Sequence, residues 1–192
     1  MPAPAIRVTG IDSADALVSS DPLALLIGML LDQQIPMEWA FKGPATLAER
    51  LGGLDAAAIA AMDPDEFAAV FSAKPALHRF PGSMAKRTQE LCRHVTDVWG
   101  GDAGAIWADV DDAGELMARV RALPGYGDEK SRILVAMLAK RLGVRPAGWE
   151  RATAPFSDDT PRSVADIDSP ESLARVREWK KAQKAKGKGK AD

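Results

Sequence analysis

The sequence has few residues that bind transition metals or form covalent crosslinks. Among its 192 residues there is one cysteine, Cys92, and there are two histidines, His78 and His94. A single cysteine rules out an internal disulfide and a cysteine zinc cage, and it cannot supply the four thiolates that hold an iron–sulfur cluster within one chain. We therefore expect no metal site, no iron–sulfur cluster and no cofactor.

The patterns typical of export and membrane insertion are also missing. The N-terminal segment MPAPAIRVTGIDSADA has no basic start followed by an apolar run, as a signal peptide would. No apolar stretch approaches the length that a membrane-spanning helix needs. The sequence therefore predicts a cytoplasmic protein without a membrane partner.

The net charge of −2 combines an acidic body with a basic C-terminal segment. Residues 180–192 contain six lysines and one aspartate, a charge of +5, which leaves −7 for residues 1–179. A protein held on nucleic acid mainly by charge would carry a basic body. Any such contact by this body is expected to be local, through backbone amides and a few placed cations. The lysine-rich segment is interpreted as a disordered, solvated tail or as a non-specific nucleic-acid-binding arm.

The alternation of β-branched and polar residues that is typical of strands is rare, whereas Ala and Leu are abundant, so the predicted fold class is all-α. The strongest helix signal follows Asp21, a capping residue, and Pro22, which favours the first helical position. The sequence that follows, LALLIGMLLDQQ, is apolar around nearly its whole circumference, which predicts a central buried helix. Pro36 is expected to end or bend this helix.

Two amphipathic helices are predicted at residues 111–122 and 128–142, and another is predicted after the capping residue Ser169. The helical pattern lapses for about twenty residues after Val144, which is long for a structureless connection in a small domain. We expect this segment either to have a function or to wrap the surface.

The segment Leu123-Pro124-Gly125-Tyr126-Gly127 joins the two amphipathic helices and is the strongest functional signal in the chain. Its glycines permit a tight turn and a close approach by another molecule. The following helix would present free N–H groups, and helix N-termini bind phosphate through these groups. An ordinary helix turn with glycines for steric reasons is the alternative interpretation.

Together with Ser131 and the apolar residues that follow it, this segment resembles the hairpin of the endonuclease III-type DNA glycosylases of the helix-hairpin-helix (HhH-GPD) superfamily. The earlier segment DPLALLIGMLLDQQIP resembles the early buried helix of that family and places Gln34 where family members insert a glutamine into the duplex. The segment FPGSMAKRTQELCRHV resembles the stretch one helix before the hairpin. The resemblance covers roughly residues 19–142, in the expected order.

The resemblance implies a two-lobed helical fold with duplex DNA bound across the cleft by a monomer. One lobe would comprise about 36–142 and the other about 1–35 together with 143–179, followed by the disordered tail 180–192. The implied DNA-binding residues are Gln34, Leu123, Gly125, Tyr126, Gly127 and Lys130. For Gln34 the alternative is a polar helix end satisfied by backbone groups. For Lys130 it is a plain solvated charge.

Hydrolysis of an N-glycosidic bond builds positive charge on the sugar, which a nearby carboxylate stabilises. In the family this residue is an aspartate just after the second hairpin helix, but nothing equivalent follows Leu142 promptly. The first apolar segment ending in aspartate is Ser163-Val164-Ala165-Asp166, so the resemblance assigns Asp166 as the catalytic carboxylate across an insertion. The alternative is that Asp166 merely precedes a helix cap. The same alternative applies to Asp168. Weaker candidates on the same segment are Asp158 and Asp159.

Family members that also cleave the strand have a lysine two residues after the second hairpin glycine, where this chain has Glu129. Lys130 is adjacent, but one helical step turns a side chain by about 100° away from that position. The resemblance therefore implies a monofunctional DNA N-glycosylase of base-excision repair that uses water. Two alternatives remain: a catalytically silent DNA-binding relative, and a helical protein–protein adaptor.

Overall fold

The computed structural model describes residues 5–192, and within that range the chain forms ten α-helices, two short 3₁₀ helices and no β-strand. The predicted all-α class is confirmed. An isolated β-bridge joins Asp112 and Ala147. The helices are α1 (Asp12–Ser20), α2 (Pro22–Leu31), α3 (Met37–Leu51), α4 (Ala56–Ala61), α5 (Pro64–Ser72), α6 (Pro81–Trp99), α7 (Ala113–Arg121), α8 (Asp128–Arg141), α9 (Trp149–Thr153) and α10 (Pro170–Ala185). The 3₁₀ helices are Ala103–Ile106 and Val164–Asp166.

Helix α2 is the central buried helix that the sequence predicts. The Asp21 carboxylate accepts hydrogen bonds from the N–H groups of Leu23 and Ala24, at 2.8 and 3.2 Å, and Pro22 occupies the first helical position. Every residue of α2 after Pro22 is buried. The helix ends at Leu31, so Pro36 does not bend it but precedes the first residue of α3.

The helices share one continuous apolar core, in which α2 packs against α1 and α3 and also reaches α6 and the first 3₁₀ helix. Helices α4 and α5 pack on α6. Helix α8 packs against α7, α9 and the second 3₁₀ helix, which in turn contacts α10. Residues on the two sides of position 142, where the sequence placed a lobe boundary, are therefore packing partners. The two-lobed division stays a prediction.

The last helix extends further than the sequence indicated. Helix α10 begins after the Ser169 cap, as predicted, but continues to Ala185. Helix therefore occupies residues 180–185, where the sequence predicted the start of a disordered tail. The following residues lie against the body, because the Arg162 guanidinium donates to the backbone oxygens of Lys190 and Asp192, at 3.4 and 2.7 Å.

In the described part of the chain, no single helix has both the length and the apolar character needed to span a membrane. Helices α1 and α2 meet those criteria only when they are taken together, and they are bent by 111° relative to each other.

Candidate nucleic-acid interface

The glycine-containing turn between α7 and α8 is packed against α2. Gly125 has a φ of +86°, a left-handed conformation that side chains other than glycine rarely adopt. A Cβ atom added there would overlap Cδ1 of Leu30, which is fully buried in α2. Glycine is needed at this position both for the backbone angle and for the close approach of the turn to α2.

Two of the predicted DNA-binding residues in this turn face the core instead. Leu123 is only 2% exposed and Tyr126 only 5%. The Tyr126 hydroxyl donates a 2.6 Å hydrogen bond to the backbone oxygen of Leu26, and burial raises the pKa of that hydroxyl well above its usual value. In this conformation both side chains anchor the turn to α2, so these residues would contact DNA through their backbone. That they bind DNA stays a prediction.

Gly127 differs from Gly125, because it faces open space. It precedes α8 with a φ of −77°, and a Cβ atom added there would meet no atom within 4 Å. No side chain in the described structure caps α8. The N–H groups of its first turn therefore remain free for an anion, as the predicted phosphate site requires.

The first turn of α8 also carries two acids, whose charges are offset by neighbouring cations. Asp128 forms salt bridges with Arg121 and Arg132, which lower the pKa of its carboxyl group. Glu129 lies 3.5 Å from the ammonium group of Lys190. The acids therefore oppose an incoming phosphate less than their formal charges imply.

Lys130 neither reaches outward to a phosphate nor carries a plain solvated charge. Its ammonium group donates to the backbone oxygens of Met29, Leu30 and Asp32, the carbonyls at the C-terminal end of α2. Burial lowers its pKa to about 8. The alternative of a plain solvated charge is therefore corrected, since the residue caps α2 and joins it to α8. Contact of Lys130 with DNA stays a prediction.

The loop after α2 presents Gln34 to solvent in a strained conformation. Gln34 is exposed and has a φ of +59°, which is uncommon for a residue with a side chain and is found most often at functional sites. Gln33 beside it is anchored, because its amide group donates to Leu30 and accepts from Arg87, at 2.8 and 3.0 Å. The interpretation of a satisfied polar helix end fits Gln33, whereas Gln34 is placed to contact a partner.

A cluster that the sequence analysis missed supports this loop from the side of α6. His78 is 1% exposed, and its Nε2 atom lies 2.9 Å from the backbone oxygen of Gln33. Its Nδ1 atom accepts a 3.0 Å hydrogen bond from the Phe80 N–H, so the neutral ring with hydrogen on Nε2 satisfies both contacts. Burial lowers the pKa of His78.

Two aromatic side chains flank this histidine at the surface. Trp39 stacks on the His78 ring with centroids 6.5 Å apart and is 38% exposed, and Phe80 is 45% exposed. The sequence signal for this cluster is Phe80, an apolar residue directly before the proline that starts α6. The composition of the turn-rich segment around it indicates only a connector.

Beside Gln34 lies an open cavity of about 500 Å³ whose lining includes Arg177, Lys180 and Lys190. Lys180 projects from α10, and its Nζ atom lies 3.1 Å from Sδ of Met37. Burial and the charge of Lys190 lower the pKa of Lys180, whereas Asp32, Glu129 and Asp166 oppose that shift. Lys180 and Lys190 were not predicted, because the lysine-rich composition of residues 180–192 favours a disordered tail.

Asp166 lies at the opposite end of α8 from the hairpin. Its Oδ1 atom accepts a 2.6 Å hydrogen bond from the Lys140 ammonium group. Its Oδ2 atom accepts from the N–H groups of Arg162 and Ser163, at 3.0 and 2.9 Å, within a capping box. Lys140 is ten residues beyond Lys130 on α8, or about 15 Å along the helix axis. Asp166 is therefore separated from the glycine turn, although its charge reaches Lys180.

Two other acids near Asp166, the weaker candidate Asp158 and the pre-cap residue Asp168, are held in ion pairs. Asp158 is paired with Arg162 at 3.0 Å, and Asp168 is paired with Arg141 at 2.8 Å. The structure thus groups Gln34, Gly127 and the cavity cations around the end of α2. Asp166 lies outside this group, at the other end of α8.

A family model matches most of the chain. Residues 27–189 match the model of the HhH-GPD superfamily base excision DNA repair proteins. A search of curated proteins gave no match. The matched range includes the second half of α2, the Gln34 loop, the glycine turn and nearly all of the C-terminal segment. Because the family model covers most of the chain, this protein belongs to the HhH-GPD superfamily of base excision DNA repair proteins.

Proposed function

We propose that the chain is a monofunctional DNA N-glycosylase that releases a damaged base from duplex DNA with water as the nucleophile. The observation that carries this proposal is Gln34, exposed in a strained conformation beside a cavity lined by cations. Extrusion of a nucleotide requires a side chain to fill the gap in the stack and a pocket to receive the base. Gln34 and the cavity would supply these two parts.

The surrounding groups would hold the deformed duplex. The free N–H groups at the start of α8 would bind a backbone phosphate regardless of base sequence. Phe80 lies exposed on the other side of His78 and would stack against a base next to the gap. Since His78 bonds to the backbone on both sides, Gln34 and Phe80 would approach the duplex as one rigid unit.

Attack by water follows from the positions of the hairpin amines. The position of the usual lysine nucleophile holds Glu129, and the neighbouring Lys130 donates to three carbonyls of α2 and its end. With a pKa of about 8, Lys130 would be reactive if it were released. Those hydrogen bonds occupy its ammonium group in this structure.

For the carboxylate that stabilises the sugar cation, we propose Asp166, with Asp32 as a comparison residue. Asp166 accepts from N–H groups, the Ser163 hydroxyl and the Lys140 ammonium group, and its charge acts on Lys180, which lines the cavity. Asp32 lines the cavity directly. A carboxylate-to-amide substitution removes charge with little change of shape, so the essential residue should lose excision by orders of magnitude and retain binding.

The assay is release of base from duplexes that contain one lesion, scored as abasic sites by the wild type, Asp166→Asn and Asp32→Asn. We expect Asp166→Asn to bind DNA normally and to lose excision. Full excision by that variant would overturn the assignment of Asp166, and a loss only in Asp32→Asn would move it to Asp32. Borohydride trapping of a covalent complex by the wild type would refute the monofunctional mechanism.

A catalytically silent DNA-binding relative is the second candidate, favoured by one observation. Both Asp166 oxygens are engaged in contacts that stabilise local structure. Tight binding of lesion duplexes without abasic-site formation would decide for this alternative. The adaptor interpretation required that cations fail to gather at the Gln34 loop, whereas Arg177, Lys180 and Lys190 line the adjoining cavity.

A further inference from the structure

The chemical character of the cavity beside Gln34 restricts which bases it can hold. Its lining in the described structure contains three cationic side chains and no aromatic ring. The remaining side chains that line it are Asp32, Gln33, Gln34, Ile35, Pro36, Met37 and Glu38. A positively charged base is best held over aromatic faces, which attract cations through their quadrupoles. This cavity offers no such face, and its cations would repel the charge of the base.

Among these cations, Lys180 has no carboxylate within ion-pair distance in the described residues. Arg177 is paired with Glu38, and Lys190 lies 3.5 Å from Glu129. The polar contact of the Lys180 ammonium is the thioether of Met37, which is a weak acceptor. Burial lowers the pKa of Lys180, in keeping with this lack of a close carboxylate, although the more distant Asp32, Glu129 and Asp166 oppose the shift.

We infer that this cavity selects neutral bases with carbonyl oxygens, namely deaminated and oxidised lesions, over positively charged alkylated purines. In this arrangement Lys180 would donate a hydrogen bond to a carbonyl oxygen of the base. This inference rests on the proposed function. A carbonyl oxygen is the acceptor that the partly desolvated ammonium lacks. An N-alkylated purine would bring a second positive charge into the same space.

Lys180 would also assist departure of the base. When the C1′–N bond breaks, its electron pair moves to the base and develops negative charge that is shared with the carbonyl oxygen. Water adds its oxygen to C1′, and the proton that it loses neutralises the departing base. A fixed ammonium group near the carbonyl oxygen would stabilise the negative charge that appears only as the bond breaks.

The test uses the full-length protein and five duplexes, which contain uracil, hypoxanthine, 8-oxoguanine, 7-methylguanine or 3-methyladenine. The 7-methylguanine duplex separates charge from acceptor, because this base has a carbonyl and also a positive charge. We expect release of one or more of the three neutral bases at least about tenfold faster than release of either alkylated base. This ratio corresponds to the lower limit for a hydrogen bond to a charged group.

The variants are Lys180→Met, Lys180→Arg and the matched control Lys181→Met on the adjacent exposed position of α10. Lys180→Met should slow release of the preferred neutral base about tenfold or more. It should also reduce the ratio between the release rates of that base and of the alkylated bases. Lys180→Arg and Lys181→Met should stay near the wild type. Thermal melts of all variants show whether they remain folded, and Lys180→Arg preserves the test if Lys180→Met unfolds.

Faster release of the alkylated bases, or an unchanged preference in folded Lys180→Met, would overturn this inference and leave the proposed glycosylase standing. Release of none of the five bases would instead count against the proposed function. Equilibrium binding of the same duplexes then decides the inference. Tighter binding of a neutral lesion than of 7-methylguanine, lost in Lys180→Met, supports it, and equal affinities refute it.

Discussion

The two glycines of the hairpin should respond oppositely to the same substitution. In Gly125→Ala, the new methyl group must occupy a left-handed conformation, at a cost of about 1–2 kcal/mol. It must also displace the buried Leu30 side chain, and overpacking of this kind costs about 1–3 kcal/mol. The free energy of unfolding should therefore fall by about 2–5 kcal/mol.

Gly127→Ala is the matched control, since its φ of −77° suits alanine and the added methyl meets no atom within 4 Å. Its stability should equal that of the wild type or exceed it by about 0.4–1 kcal/mol, because alanine restricts the unfolded chain. The methyl group would, however, stand in front of the free N–H groups of α8. Duplex affinity should therefore fall for all sequences alike.

Urea unfolding followed by circular dichroism measures the first effect, and fluorescence anisotropy with a labelled duplex measures the second. A Gly125→Ala protein as stable as the wild type would refute the packing argument about α2 and Leu30. Unchanged affinity in folded Gly127→Ala would remove the start of α8 from the DNA interface. The two outcomes are independent, so either half of the reasoning can fail alone.

Three further substitutions or conditions test other parts of the site. Gln34→Gly removes a side chain from a left-handed conformation, so the free energy of unfolding should rise by about 1 kcal/mol, whereas base release should fall. Thermal melts measure the first effect, and a drop in stability would contradict the strain argument. Burial lowers the pKa of His78 below 6.5, so the contribution of the neutral ring to the free energy of unfolding should be complete above that pH and should decline as the pH falls through it. Urea unfolding between about pH 7.5 and about pH 5 measures this decline, which should be smaller in His78→Gln. Truncation after Ala185 removes three lysines. The slope of the logarithm of the duplex-binding constant against the logarithm of the salt concentration should become shallower by at most about 3. An unaltered slope would indicate that the removed residues do not contact DNA.

Local signals in the sequence predicted the fold class and several helix starts. Asp21 and Ser169 were recognised as caps because a capping residue followed by proline acts within a few residues of chain. The burial of α2 followed from an apolar run that leaves no polar face. Predictions of this kind need no knowledge of distant contacts.

The directions of the hairpin side chains depended on contacts that the sequence does not encode locally. Tyr126 bonds to Leu26, 100 residues earlier, and the acceptors of Lys130 on α2 are equally remote. Periodicity could not show that α2 lies close enough to receive both. Lys180 and Lys190 were missed because a lysine-rich, low-complexity composition favours disorder unless tertiary contacts hold the segment.

The three attachments between the hairpin and α2 fix the position of the hairpin relative to the Gln34 loop. Gly125 packs on Leu30, Tyr126 bonds to Leu26, Lys130 caps the end of the helix, and the Gln34 loop begins directly after it. In the proposed complex, α2 would therefore set the distance between the phosphate bound by α8 and the nucleotide contacted by Gln34. Mutations that weaken these attachments would leave duplex affinity largely intact. They would reduce the discrimination between damaged and undamaged bases, because Gln34 would no longer be held at a fixed distance from the bound phosphate.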